Sequence, residues 1–324
     1  MSIRTAVTVI GGFLGAGKTT LVNHLLRGAG GLRIAVLVND FGDLPIDRDL
    51  IVGSDGDTLE ISGGCVCCSY GSDLMEALLE LPQRRPGIDR VLIETSGVAL
   101  PGMVASAVGL LEAYALDGIV VLADAETVRT QAADVYLGDT ITRQLAAADL
   151  VILNRCDLVA AEARDETVRW AERQAPNGRV VPAERSAVPA ELMLGLRGHG
   201  RAGTTGVLRT PGGVAASVLY ESIEFAFDRA VDVDRLARAL TAPEAGVLRA
   251  KGCLQDTDGR LVALQVVGRR FERAEAPVGA APGTLQVIGL RGQLDRAHIE
   301  SSLLRAHDSA GGVNSAQCRA IFSP

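Results

Sequence analysis

The chain has 324 residues, a net charge of −7, 48% hydrophobic and 22% charged residues, which excludes a disordered or fibrous polymer and allows one large domain or two ordinary ones. The acidic balance argues against a general nucleic-acid binder, whose surface would be basic, and no apolar run approaches the roughly 20 residues of a membrane span. Aromatic residues make up only 3%, so the core has to be built from Val, Leu, Ile and Ala, a composition suited to a parallel sheet buried on both faces.

In chain order, apolar runs at Ala6–Ile10, Ile34–Val38, Val91–Ile93, Gly118–Ala123, Leu150–Leu153 and Val180–Val181 read as strands. Helical patterns lie between most of them, at Thr19–Arg27, Leu74–Leu81, Ile141–Ala148 and Ala161–Ala175. This alternation predicts an α/β, doubly wound, mostly parallel sheet, with its ligand site at the carboxyl ends of the strands. The first run is too short for a signal-peptide core and leads straight into a glycine motif, so the expected location is the cytoplasm. The stretch 201–215, within GHGRAGTTGVLRTPGG, is the predicted linker. It divides a nucleotide-binding domain at 1–200 from a smaller α+β C-terminal domain at 216–324. In that second domain a strand at Ser217–Phe227 precedes a helix opened by Asp232 or Asp234, then short strands with a turn at Asp256–Gly259. A last strand, Thr284–Leu290, precedes a helix over about Asp295–Ala306, and Ala274–Gly283 reads as a loop.

Gly12-Phe-Leu-Gly15-Ala16-Gly17-Lys18-Thr19 matches the phosphate-loop pattern without departure, between a strand and a helix as the motif requires. The glycines let successive backbone N–H groups face phosphate, and the helix N-terminus adds about half a positive charge there. Lys18 is the expected partner of the β- and γ-phosphates, and Thr19, followed by Thr20, the expected Mg²⁺ ligand. Glu94 ends the run Arg90-Val-Leu-Ile-Glu94 and is expected in the Mg²⁺ shell. Gly97, in Thr95-Ser96-Gly97, can present its N–H to the γ-phosphate. Asn154-Arg155-Cys156-Asp157 follows another strand and departs from the guanine-reading pattern Asn-Lys-x-Asp only in Arg155. A carboxylate at Asp157 accepts from guanine N1–H and its exocyclic amine, and adenine offers neither in that geometry. These residues predict a P-loop NTPase that binds GTP and hydrolyses it. Ser186-Ala187 supplies a weaker candidate for base contact.

Six cysteines occur, and three of them, Cys65, Cys67 and Cys68, fall within four positions after Gly63-Gly64. In a chain read as cytoplasmic this clustering points to metal binding or redox chemistry, not a disulfide framework. Soft thiolates select Zn²⁺ or Cu⁺ over Mg²⁺ and Ca²⁺, and three of them leave a fourth position open for transfer. Three buried small hydrophobes or a redox pair are the alternatives. His24 reads as a packed helix residue and the other cysteines carry no assigned chemistry.

Taken together, GFLGAGKTT at Gly12–Thr20, NDFGDLPID at Asn39–Asp47, GGCVCC at Gly63–Cys68, ETSGVALP at Glu94–Pro101 and NRCD at Asn154–Asp157 resemble the CobW-like GTPases, relatives of the nickel-inserting hydrogenase and urease maturation GTPases. RAKG at Arg249–Gly252 and LQVVG at Leu264–Gly268 resemble that family's C-terminal domain. The resemblance implies a GTP-dependent metallochaperone or metal-insertion factor, with Zn²⁺ or Co²⁺ as cargo and a client metalloprotein as partner. A homodimer is compatible with it. By position, Asn39–Asp47 would be the first switch and Cys65–Cys68 the metal loop. Asp40 and Asp43 stand where the family carries glutamate, and the histidine-rich linker of many members is missing, which favours single-ion delivery over storage. A nucleotide-controlled zinc or redox sensor without delivery is the competing reading.

Overall fold

The computed structural model describes residues 4–38, 72–194, 220–227, 229–276, 280, 283–301 and 320–321. By internal contacts the chain divides into two units, Met1–Leu194 and Gly195–Pro324. The predicted linker at 201–215 lies outside the described residues, as do the segment Asn39–Asp47 and the three clustered cysteines.

The first unit is built on six strands: β1 (Thr5–Gly12), β2 (Ile34–Val38), β3 (Arg90–Glu94), β4 (Tyr114–Asp124), β5 (Leu150–Asn154) and β6 (Arg179–Pro182). They pair in the order β2-β3-β1-β4-β5-β6, and every pairing is parallel. The inner strands β3 and β5, each next to an edge strand, are buried at every position, which is why they read as continuous apolar runs and not as alternating ones. Helices α1 (Lys18–Arg27), α2 (Ser72–Arg84), α3 (Pro101–Val108), α4 (Val128–Ala133), α5 (Gly138–Ala146), α6 (Ala161–Gln174) and α7 (Ala190–Leu194) connect or follow the strands. The core of this unit is aliphatic, as the composition requires: among its described residues Tyr114 is the one buried aromatic side chain, with Phe13 and Trp170 at the margin. All six predicted strands occur. β4 runs longer than expected because Tyr114–Asp117 extends it past a bulge opposite Val7 and Thr8.

Registry decides what the sheet presents at its carboxyl edge. Ile10 pairs with Glu94, Gly12 with Leu122, and Asp124 with Asn154. Four adjacent strands therefore end in Gly12, Glu94, Asp124 and Asn154, in the crevice where open parallel sheets bind ligands.

The second unit holds β7 (Tyr220–Ala226), α8 (Val233–Thr241), β8 (Val247–Gln255), β9 (Leu261–Val267), β10 (Arg270–Glu275), β11 (Thr284–Leu290) and β12 (Ala320–Ile321). Its sheet is antiparallel, in the order β10-β9-β8-β11-β7-β12. Asp232 is the helix cap: its side chain accepts from the Arg235 N–H at 2.9 Å, satisfying one orphan amide of the first turn. Val233, Leu236, Ala237 and Leu240 then form one buried stripe at helical spacing. β10 reaches Glu275, so the loop expected from Ala274 starts two residues later. Ladder pairing of Ala274 with Ala263 and of Glu275 with Val262 holds those residues in the sheet.

Candidate functional site

The glycine loop between β1 and α1 owes its path to backbone that other residues avoid. Gly12, Gly15 and Gly17 have φ of 130°, 74° and 104°, a region that costs residues with a Cβ. Space forbids a side chain at two of them as well. A Cβ on Gly12 would lie 2.3 Å from the Leu122 carbonyl oxygen, and one on Gly17 would lie 2.6 Å from both Asn154 Nδ2 and Ser186 Oγ. The Ala16 N–H donates to the Phe13 carbonyl at 3.2 Å and closes the turn. Lys18, mostly buried, folds back so that Nζ donates to the same carbonyl at 3.3 Å. The result is a cradle of amides at a helix N-terminus with an ammonium beside it, a ready anion site.

Glu94 comes to this loop from β3. Thr19 Oγ1 donates to its Oε1 at 2.8 Å, and Glu94 is 4% exposed. Two oxygen ligands suited to a hard divalent cation thus stand side by side. The turn that follows β3 leans on the loop: a Cβ on Gly97 would fall 2.7 Å from the Leu14 N and 2.6 Å from its side chain. The buried hydroxyls Thr95 Oγ1 and Ser96 Oγ lie in this turn and have no hydrogen-bond partner among the described residues.

On the other flank, Asn154 and Asp157 separate in role. Asn154 is buried, and its Nδ2 donates to the Ala16 carbonyl at 2.9 Å and to Ser186 Oγ at 3.0 Å. Its Oδ1 accepts from the Ser186 N–H at 2.7 Å, and Ser186 Oγ donates to the Gly17 carbonyl at 3.1 Å. Asn154 and Ser186 therefore brace the glycine loop from behind. Asp157 is exposed on a short 3₁₀ turn, Cys156–Leu158, and its carboxylate is open to a ligand. Arg155 bridges the two flanks, donating to Asp124 Oδ2 at 2.6 Å and to the Gly15 carbonyl at 3.1 Å. Among the described residues the non-glycine positions with left-handed backbone are Arg155, Arg185 and Ser186. Arg155 and Ser186 belong to this bracing and Arg185 precedes Ser186 in the same turn; strain of order 1–3 kcal/mol at Arg155 and Ser186 persists because their hydrogen bonds over-determine it. Cys156 beneath them is buried, and desolvation pushes its thiol pKa up, which makes it an inert packing residue.

Sequence reasoning left out two members of this site. Asp124 ends an apolar strand as Glu94 does, so the rule that found one carboxylate finds the other. Gln144, in the middle of α5, carries no motif, yet it is 1% exposed and donates to the Gly97 carbonyl at 3.0 Å and the Ala99 carbonyl at 2.8 Å. Among the described residues no group of three or more His, Cys, Asp or Glu could hold a metal ion. No helix among them is long and apolar enough to cross a membrane.

Residues 6–182 match the profile of the CobW/HypB/UreG nucleotide-binding domain, and residues 220–307 that of the cobalamin synthesis protein CobW C-terminal domain. A protein of Sinorhizobium sp. named zinc chaperone CobW is 31% identical over 346 residues, covering 91% of this chain and 95% of that one. Zinc chaperone YjiA of Escherichia coli is 37% identical over 166 residues, 49% of this chain and 51% of that one. Zinc-regulated GTPase metalloprotein activator 1 of Schizosaccharomyces pombe is 36% identical over 167 residues, 48% of this chain and 40% of that one.

Proposed function

The chain belongs to the CobW/HypB/UreG family, and from that premise we propose that it is a GTP-hydrolysing metallochaperone that hands a transition-metal ion, zinc before cobalt, to a client protein. The observation that carries the nucleotide half is the 2.8 Å bond between Thr19 and Glu94 at the lip of the glycine cradle. Backbone amides of Gly15, Ala16 and Gly17, with Gly12 shaping the turn, receive the phosphates; the Ala16 N–H and Lys18 exchange their bonds to the Phe13 carbonyl, at 3.2 and 3.3 Å, for phosphate oxygens. Thr19 and Glu94 fit a Mg²⁺ ion, which when bound offsets charge on the β- and γ-phosphates. Thr20 extends the loop into the first helical turn. Gly97, packed against Leu14, offers its N–H to the γ-phosphate. Asp157 accepts from guanine, while Asn154 keeps the loop in register behind it.

The metal half rests on the spacing of Cys65, Cys67 and Cys68, on thiolate preference for soft ions, and on relatives named zinc chaperones. Zinc is cargo in this reading. The client is a metalloprotein that accepts the ion when the nucleotide state changes.

Titration of the full chain with GTP and with ATP in the presence of Mg²⁺, alongside phosphate release, tests the nucleotide half. GTP should bind at least roughly tenfold more tightly, a gap of about 1.4 kcal/mol, and be hydrolysed. Equal affinities would remove the guanine assignment, and binding without turnover would remove the enzyme.

A further inference from the structure

The turn after β3 is held from a direction that no nucleotide motif describes. Within Ser96–Ala99 the Ser96 carbonyl accepts from the Ala99 N–H at 3.1 Å, closing the turn on itself. The carbonyls of Gly97 and Ala99 both accept from the single amide nitrogen of Gln144, at 3.0 and 2.8 Å. Gln144 belongs to α5, is 1% exposed, and lines a crevice with Phe13, Leu14, Ala16 and Asp124. One side chain therefore reaches the turn from beside the glycine loop.

The geometry points to Gln144 as a positioning residue for γ-phosphate recognition: it fixes the Gly97–Ala99 turn so that its carbonyls face α5 and not the bound nucleotide. The inference rests on the GTPase reading given above. In a trans peptide the C=O and N–H point in opposite directions. Turning the Gly97 carbonyl to α5 therefore turns the Val98 N–H away from α5, and the Ser96 carbonyl, held by the Ala99 N–H in the same turn, fixes the direction of the Gly97 N–H offered to the γ-phosphate. A carbonyl free to swing would set its oxygen against a phosphate oxygen, where like partial charges repel, and would take the amide edge away. Gly97 has no slack of its own, because its Cα already lies against Leu14 of the glycine loop. The two donors on one nitrogen match two carbonyls two residues apart, and leaving the buried Gly97 carbonyl or the part-buried Ala99 carbonyl unpaired costs free energy. Preorganised donors of this kind act where charge develops and need no rearrangement at the moment of reaction.

The test is Gln144→Met in the full chain, which keeps length and burial but removes both donors. Affinities for GDP and for a non-hydrolysable GTP analogue are measured with Mg²⁺, together with kcat and KM for GTP. The variant should bind GDP within about threefold of wild type, lose roughly tenfold in its preference for the analogue over GDP, and lose about tenfold or more in kcat. Should the Met variant not fold, Gln144→Asn, which keeps the amide but falls one methylene short, is expected to lose the same preference to a smaller degree. A variant that keeps both the analogue preference and kcat overturns the proposal, as does one that loses GDP binding in proportion, since Gln144 then serves folding alone. A wild-type protein that binds no GTP overturns the underlying GTPase reading instead, which distinguishes the two failures.

Discussion

Asn154 and Asp157 stand three positions apart in one four-residue pattern, and the sequence treats them alike. The structure separates them by what surrounds each. Asn154 is buried with its amide spent on Ala16 and Ser186, whereas Asp157 is exposed. Replacing Asn154 by Ala leaves the Ala16 carbonyl and the Ser186 N–H without their partner inside the protein, at a cost of about 2 kcal/mol. Replacing Asp157 by Ala removes a surface carboxylate and should alter stability by no more than about 0.5 kcal/mol. Thermal unfolding without nucleotide is expected to rank Asn154→Ala well below Asp157→Ala and wild type. Nucleotide titration should reverse the emphasis, with Asp157→Ala losing the preference for GTP over ATP. Equal melting temperatures would take the bracing role from Asn154. What hid this division in the sequence is the left-handed backbone at Arg155, Arg185 and Ser186. Glycine announces such a turn, and Arg or Ser does not. Ser186 could be noticed as a candidate, but its direction, toward the glycine loop, follows only from that turn.

At the scale of elements, long apolar strands were legible because full burial on both faces leaves a continuous run, and α1, α5 and α6 because a buried stripe needs helical spacing. α4 and α7 span six and five residues, under two turns, so no period can develop in them. α3 is short and carries Gly102 and Ser106 among small apolar residues, which blurs its stripe. β12 has two residues and takes its identity from pairing with β7. Within α1 the stripe Leu21, Val22, Leu25 includes His24, 7% exposed, with Nε2 lacking a partner among the described residues. Desolvation lowers its pKa, and Arg27 nearby lowers it further. A base held neutral in the folded state is protonated first in the unfolded chain, so stability is complete above the unfolded pKa of about 6.5. It is lost as pH falls below that value, with a slope of at most about 1.4 kcal/mol per pH unit from this one group. Melting temperature should therefore drop between pH 7 and 5, and His24→Gln should flatten that drop. Parallel curves for variant and wild type would show that other groups set the acid limit.

For the whole molecule, two sheets of different hydrogen-bonding pattern each have a hydrophobic cluster of their own among the described residues. One cluster draws on residues between Val7 and Val180, with Ile10, Leu21, Leu92 and Ile152 also buried in the first unit, and another on residues between Phe225 and Ile299. A chain ended after Leu194 keeps the first core and every described residue of the glycine cradle, so it should fold and bind GTP within about threefold of the full chain. Aggregation of that fragment, or loss of binding, would mean that the first unit depends on the second. The proposed metal chemistry belongs to the same scale, because it would tie residues that lie in sequence between β2 and α2 to the nucleotide proposed at the carboxyl edge of the first sheet. In the sequence, Cys65, Cys67 and Cys68 lie between two segments proposed to sense the γ-phosphate, Asn39–Asp47 and Glu94–Gly97. If both segments change state with the nucleotide, the thiolates should bind Zn²⁺ or Co²⁺ with different affinities in the GTP and GDP states. Linkage then requires the metal to change GTP affinity by the same factor, which for typical coupling is about 5- to 150-fold. Co²⁺ serves as the probe, since thiolate ligation gives an intense charge-transfer band in the near ultraviolet, and binding should weaken as pH falls because each thiol must lose its proton. Replacing all three cysteines with serine should abolish the band and leave GTP affinity near that of the metal-free wild type. A triple variant that keeps the band would move the site elsewhere, with Cys156 and Cys253 the remaining thiols in the described residues. Both are poor candidates, since desolvation raises their pKa values and so opposes the thiolate a soft metal needs. Metal affinity identical in the two nucleotide states would leave a GTPase that binds metal and would remove the physical basis for release on hydrolysis, since a ligand step with no differential affinity shifts no equilibrium.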